Sequence, residues 1–269
     1  MAQLNLAAAA KARGNKMIAA YYLIVLLICI AITLLIRSLA PDDVRGVPSS
    51  TWEVFYGVFG VIYAIIIGFI LAELLTRFHR LISDISNELN ALQCIRDFMI
   101  YIDENEAAKQ NIKLAVRIYL QSILDVEWDN MKSNTETVDS DTSKELYNLM
   151  NAVEQIRVID ESDRLALGQL IGHIADVTVY RTQRFDLASR HLSPVLHMLI
   201  VFMSIIMVAG LILISVPSLL VHLFMVLSMV TAVYLLYVVI IDLNMPFVGV
   251  WNINPQPFQD MLDRFDVET

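Results

Sequence analysis

Val61, Ile65, Phe69, Glu73 and Arg77 stand four residues apart. At that spacing on a helix, neighbouring side chains share a side, one turn above the next. The row presents three bulky apolar groups, then a carboxylate, then a guanidinium. One reading is an i,i+4 pair between Glu73 and Arg77 at a helix end, with the apolar groups in ordinary packing. The other is a pore-lining face. Val61, Ile65 and Phe69 would then form a neck, and Glu73 and Arg77 a charged ring below it. Apolar constrictions and rings of charge are how pores gate and select ions.

Other chemistry is hard to find. There is no Gly-rich phosphate loop, no G-x-S-x-G, no H-E-x-x-H and no C-x-x-C. No catalytic residue, cofactor or metal site is therefore expected, and the protein reads as a non-enzyme. The five histidines are isolated, with His191 and His197 six apart and His222 inside an apolar run. Clustered ligands are what metal sites need, so these read as packed or interfacial side chains. Cys29 and Cys94 cannot build a disulfide framework and read as unpaired thiols. The acidic tail (Asp260, Asp263, Asp266, Glu268) lacks the layout of a calcium loop and reads as a solvated face. A net charge of −9 argues against a nucleic-acid partner.

The elements that hold the row follow from composition. Of 269 residues, 57% are hydrophobic and 17% charged, and mean hydropathy is +0.60. Soluble domains have about 45–50% apolar and about 25% charged residues. The apolar residues lie in runs at 17–36, 54–72 and 198–241, and the last is broken by Val216-Pro217-Ser218. A bilayer core about 30 Å thick takes about 20 helical residues to cross. Four transmembrane helices are expected, at about 17–38, 53–76, 195–215 and 219–241. The first run is too long for a signal-peptide core and no cleavage site follows it, so it reads as a retained span.

Basic residues set the orientation. Lys11, Arg13 and Lys16 precede the first span, Arg77, His79 and Arg80 follow the second, and Arg181, Arg184 and Arg190 precede the third. Arg45 sits beside Asp42 and Asp43 in the first loop, and the 216–218 turn is uncharged. Both termini are expected to be cytoplasmic, with Arg37 as a small exception. Four segments are expected: 1–76 with the first two spans, 77–193 as a cytoplasmic helical insert, 194–241 as a hairpin of the last two, and 242–269 as a cytoplasmic tail.

The insert reads as helical throughout. Ile82, Ile85, Leu89, Leu92, Ile95, Met99 and Ile102 recur at helical steps without a break from the second span. One helix over about 53–103 is expected, roughly 75 Å long at 1.5 Å per residue. Further helices are expected at about 105–131, with Leu114, Ile118, Leu120, Ile123 and Leu124 apolar, and at 143–158 and 162–191. Ser133–Ser143 reads as a surface loop.

The chain also carries short motifs in a recognisable order. Gly68-Phe69 and then, after six residues, Thr76-Arg77-Phe78 resemble the second transmembrane helix of bestrophins. Residues 242–249 (DLNMPFVG), with Asp242, Pro246, Phe247 and Gly249, resemble the stretch after the last bestrophin span. Over about residues 17–265 the chain resembles the bestrophin-like family of bacterial membrane proteins. The further marks are Glu88, Asn90, Ala91 and Leu92, Tyr119 with Glu127 and Trp128, Arg181 with Arg184, and Pro255 with Phe258.

The resemblance implies an all-α membrane protein with a two-plus-two layout of transmembrane helices and a helical cytoplasmic stalk, in a bacterial inner membrane. It implies a homo-oligomer, a pentamer, conducting small ions through a neck at Val61, Ile65 and Phe69. Glu73 would give an acidic ring favouring cations. Bestrophins that respond to calcium carry acids after Pro-Phe-Gly. Val250–Asn254 has none here, so calcium gating does not carry over. The alternative function is a non-conducting scaffold or sensor that binds a partner through the stalk.

Overall fold

Helical periodicity, few glycines and the absence of period-two alternation leave no route to a sheet, and no strand forms among the described residues. The computed structural model describes residues 2–39, 49–102, 106–133, 140–214, 216–249 and 251–267. The helices are α1 (Ala2–Leu39), α2 (Ser49–Phe98), α3 (Glu106–Ser122), α4 (Trp128–Ser133), α5 (Ser140–Glu154), α6 (Glu161–Ser189), α7 (Pro194–Leu213), α8 (Leu219–Asn244) and α9 (Gln256–Val267). A 3₁₀ turn, Met99–Tyr101, follows α2, and a π turn, Ile123–Glu127, joins α3 to α4. The sequence reading leaves α9 unassigned. The expected first loop with Asp42, Asp43 and Arg45, the break at 103–105, most of the expected 133–143 loop, Val250 and Glu268 lie outside the described residues.

Boundaries follow local chemistry. With no proline inside it, α2 runs unbroken for 50 residues. At the start of α6, the Asp160 side chain accepts from Asp163 N at 2.8 Å, and Asp163 accepts from Ile159 N at 2.9 Å. This reciprocal arrangement satisfies backbone donors a helix start would otherwise leave open. Pro194 occupies the first position of α7, where a missing N–H costs nothing.

The chain divides into two units. The first contains residues up to Leu75, Leu192–Asn244 and Gly249–Trp251. It holds α1, the first half of α2, α7 and α8. Four helices among the described residues are long and apolar enough to cross a membrane, in Ala19–Leu39, from Ser50 in α2, Pro194–Leu213 and Leu219–Asn244. Their apolar surface gives little reason to associate within lipid, so close packing and hydrogen bonds hold them. Tyr22 Oη bonds Thr231 Oγ1 at 2.8 Å, Tyr63 Oη bonds Ser204 Oγ at 3.1 Å, and Tyr56 Oη donates to the Met207 carbonyl at 2.8 Å. Gly210 lets α7 approach α2. A Cβ there would lie 2.8 Å from Tyr56 Oη and 3.4 Å from the Trp52 ring.

The second unit contains Thr76–His191, Met245–Val248 and the residues from Asn252. Its core draws Leu81, Ile85, Leu92 and Ile95 from α2, Ile112, Val116 and Tyr119 from α3, Leu149 from α5, Leu170 and Val177 from α6, and Phe258 and Phe265 from α9. Of the expected apolar rows, Ile85, Leu89, Leu92, Ile95, Met99, Ile102, Leu120 and Ile123 are buried, while Ile82, Leu114 and Ile118 are exposed. Leu81, Ile112 and Tyr119 are buried in the same stripes.

Gly210→Val is expected to cost about 1–3 kcal/mol by overpacking against Tyr56. Gly57→Ala, whose Cβ would meet nothing within 4 Å, is expected to leave stability unchanged or raised. Thermal unfolding of both variants in detergent checks this.

Candidate functional site

In the first unit, α2 has two unlike faces. Tyr63, Ile67, Ile70 and Leu74 are buried, and Tyr63 and Tyr56 tie this helix to α7. Val61, Ile65 and Phe69 are 57%, 52% and 74% exposed, and Glu73 is exposed in the same row. A row spaced by four drifts about 40° per step, so it stays on one side over three turns. Arg77, in the second unit, donates from Nη1 to the Arg190 carbonyl.

The second unit brings together residues that the sequence singles out only as separate motifs. Glu88 from α2, Glu127 from the π turn and Arg184 from α6 are all fully buried. Arg184 donates from Nε to Glu88 Oε2 at 2.8 Å and from Nη2 to Glu88 Oε1 at 3.1 Å, a two-pronged pair. The same Nη2 donates to Glu127 Oε2 at 2.6 Å, and Arg181 Nε donates to Glu127 Oε1 at 2.7 Å. Tyr119 Oη donates to Glu88 Oε1 at 2.7 Å, and Arg184 Nη1 meets Met131 Sδ at 3.4 Å. Two carboxylates thus offset two guanidiniums out of water.

The electrostatics follow. Burial pushes the Tyr119 phenol well above its ordinary value, and the Glu88 and Glu127 charges push it further. Burial alone would lower the Arg184 guanidinium, but Glu88 and Glu127 outweigh it and hold it above its ordinary value. Both groups keep their protons at any physiological pH, so Tyr119 and Arg184 remain donors to the buried acids. Rings pack around it. Arg181 and Arg184 lie 5.0 and 5.2 Å from the Phe185 centroid, and Arg184 is 5.5 Å from that of Phe258. Trp128 meets Phe247 and Phe258 edge-on. Trp128 Nε1 and Arg181 Nη2 are buried without a hydrogen-bond partner among the described residues.

The π turn explains why Glu127 and Trp128 are both buried although adjacent. An extra residue in a helical turn re-aims the side chains that follow it. Asn90 lies beside a cavity of about 250 Å³ with Ser86, Asp260 and Arg264, apart from the ion cluster's contacts. The motif after α8 closes on its own backbone. Asp242 accepts from Trp251 N at 2.7 Å, and Gly249 has φ +122°, with the space for a Cβ taken by Asp242 Oδ1. In the second unit, Ile253 N donates to the Pro246 carbonyl at 2.8 Å, and Phe247 sits against Trp128.

Tyr119, Glu127 and Met131 complete the cluster, and sequence reasoning does not pair them with Glu88, Arg181 and Arg184. The signal was present. Glu88 falls in step with Leu81, Ile85, Leu92 and Ile95, and Arg181 and Arg184 with Leu170, Ile174, Val177 and Ala188. Charges in phase with an apolar stripe must be buried, and buried charges need opposite partners.

Arg184→Leu is expected to cost about 3–5 kcal/mol, because it strands Glu88 and one arm of Glu127. Tyr119→Phe is expected to cost about 1–3 kcal/mol, since Glu88 keeps both bonds from Arg184. Unfolding midpoints of the purified variants measure the difference. Gly249→Ala is expected to displace the Asp242 carboxylate and speed hydrogen exchange at the Trp251 amide, since a strained φ costs about 1–3 kcal/mol.

The sequence matches the Bestrophin-like domain over residues 23–258. No protein of curated function matches it in sequence. In structure it is similar to crystal structures of two single-substitution variants of a bacterial bestrophin homologue from Klebsiella pneumoniae, each 13% identical with a TM-score of 0.74. The first likeness covers 91% of this chain and 99% of the homologue, and the second 92% and 98%. At that identity the likeness shows a shared fold. The domain match spans most of the chain, which places this membrane protein in the bestrophin-like family.

Proposed function

We propose that this protein is a subunit of an oligomeric ion channel, five copies surrounding a pore lined by α2. In this reading α2 and the other three apolar helices span the bacterial inner membrane, both termini are cytoplasmic, and the helical unit forms a cytoplasmic stalk. Val61, Ile65 and Phe69 form the neck, and Glu73 and Arg77 lie below it.

One observation carries the reading. Glu73 is exposed in the same row as Val61, Ile65 and Phe69. A row that faced only lipid would not end in an exposed carboxylate, since charge is expensive against acyl chains. A row facing a water-filled axis has no such conflict, and its apolar members then act as a dewetting constriction. Five Glu73 carboxylates favour cations as the permeant small ions. Family membership supports the same assignment, and the α2 row supplies the site that the function needs.

Planar-bilayer recording of the purified protein tests the proposal. Phe69→Ala and Ile65→Ala are expected to raise unitary conductance by widening the neck. Glu73→Gln is expected to move the reversal potential towards lower cation preference. Wild-type protein without currents, or unchanged currents in all three variants, would remove the proposed pore.

A further inference from the structure

We propose that the cavity between α1, α7 and α8 holds one acyl chain of an anionic lipid. This site goes beyond the channel reading and does not depend on whether the α2 row conducts.

The cavity has a volume of about 630 Å³, within the range of about 300–1,000 Å³ typical of ligand sites. Its walls run from Val25 to Ile36 on α1 and from Val201 to Leu213 on α7. At 1.5 Å per residue those stretches are about 16 and about 18 Å long. That is close to half of a hydrocarbon core about 30 Å thick, the depth one leaflet's chains occupy. The length suits one chain from one leaflet and is too short for a membrane-spanning helix.

The wall chemistry excludes water. The lining is almost wholly apolar, and two of its polar members, Tyr237 and Ser204, bond partners within the protein. Tyr237 Oη bonds His197 Nε2 at 2.6 Å, and Ser204 Oγ donates to the Ile200 carbonyl at 2.7 Å. A buried water needs two to four polar partners, and these walls offer few.

The cavity persists because α1 is tied down near both ends. Tyr22 bonds Thr231 at 2.8 Å and tilts against the Tyr234 ring at 5.1 Å. At the other end Arg37 donates to the Val216 and Pro217 carbonyls at 3.0 and 2.8 Å. Arg37 directly follows Ile36, a wall residue. The carbonyls it meets follow the wall residue Leu213 by three and four residues, so its positive charge stands at that end of the cavity, complementary to the carboxylate of a fatty acid or the phosphate of a phospholipid.

The test uses the full-length protein in phosphatidylcholine vesicles, with nitroxide-labelled stearate or nitroxide-labelled phosphatidylglycerol as the probe. Electron paramagnetic resonance reads the motionally restricted fraction. The proposal expects a saturable restricted component, weakened about tenfold or more by Ala209→Phe, which fills the cavity from α7. Val233→Phe, which fills it from α8, is the second variant in case the first fails to fold. Arg37→Gln is expected to lower the preference for phosphatidylglycerol over labelled phosphatidylcholine while the chain still binds. Restriction of stearate alone identifies a free fatty acid as the ligand, and restriction of both probes a bilayer lipid. An unchanged restricted fraction in both filling variants would overturn the proposal. So would a change in oligomeric mass with lipid binding unaltered, which would put a second copy of the chain in the cavity.

Discussion

Arg184 has no access to water and holds two carboxylates, Glu88 and Glu127, at once. A lone charge in that position would cost several kcal/mol, and so would either carboxylate without it. Glu88 fixes the rotation of the second half of α2, Arg181 and Arg184 that of α6, and the π turn sets Glu127 and Trp128 inward. Phe258 then brings α9 onto Arg184, and Tyr119 locks α3 to Glu88. A purely apolar core of this size would tolerate slippage between helices. The ion cluster specifies a register, as buried polar groups do in other helical assemblies.

The membrane-type unit solves a different problem. Its helices are apolar all round, so burial alone cannot choose their faces. Three tyrosine hydroxyls and one glycine make the choice between helices, and the result leaves the Val61–Phe69 row of α2 unpacked. Glu73 marks that row as unlike the other exposed apolar surface. The proposed neck and the proposed acyl-chain cavity both follow from where polar atoms have and have not found partners.

Helix existence and type were legible in the sequence. The three apolar runs, the break that makes four spans of them, and the unbroken α2 follow from hydropathy and the placing of proline. The motifs that carry the family resemblance were legible too. Phase was largely legible too. Ile85, Leu89, Leu92, Ile95, Met99 and Ile102 of the α2 row are buried, as are Leu120 and Ile123 on the next stretch, while Ile82, Leu114 and Ile118 are apolar but exposed. A row read from apolar residues alone leaves out Glu88 and Tyr119, which are buried in the same stripes. The acids of α9 read as a solvated tail and do face outward at Asp260 and Asp263, while Phe258, Met261 and Phe265 at three- and four-residue steps bury its other face. Pairing among distant motifs, such as Glu88 with Arg184 across 96 residues, is tertiary information that one sequence does not spell out.

The most direct measurement is thiol modification of single cysteines along α2 during current recording, in a background with Cys29→Ser and Cys94→Ser. Val61→Cys, Ile65→Cys and Phe69→Cys are expected to lose current when a charged, water-soluble thiol reagent is added. Phe224→Cys on α8, which is 73% exposed on an apolar helix, is expected to be unaffected. Absence of current, unaltered current at all three α2 positions, or equal block at Phe224 would contradict a pore lined by α2.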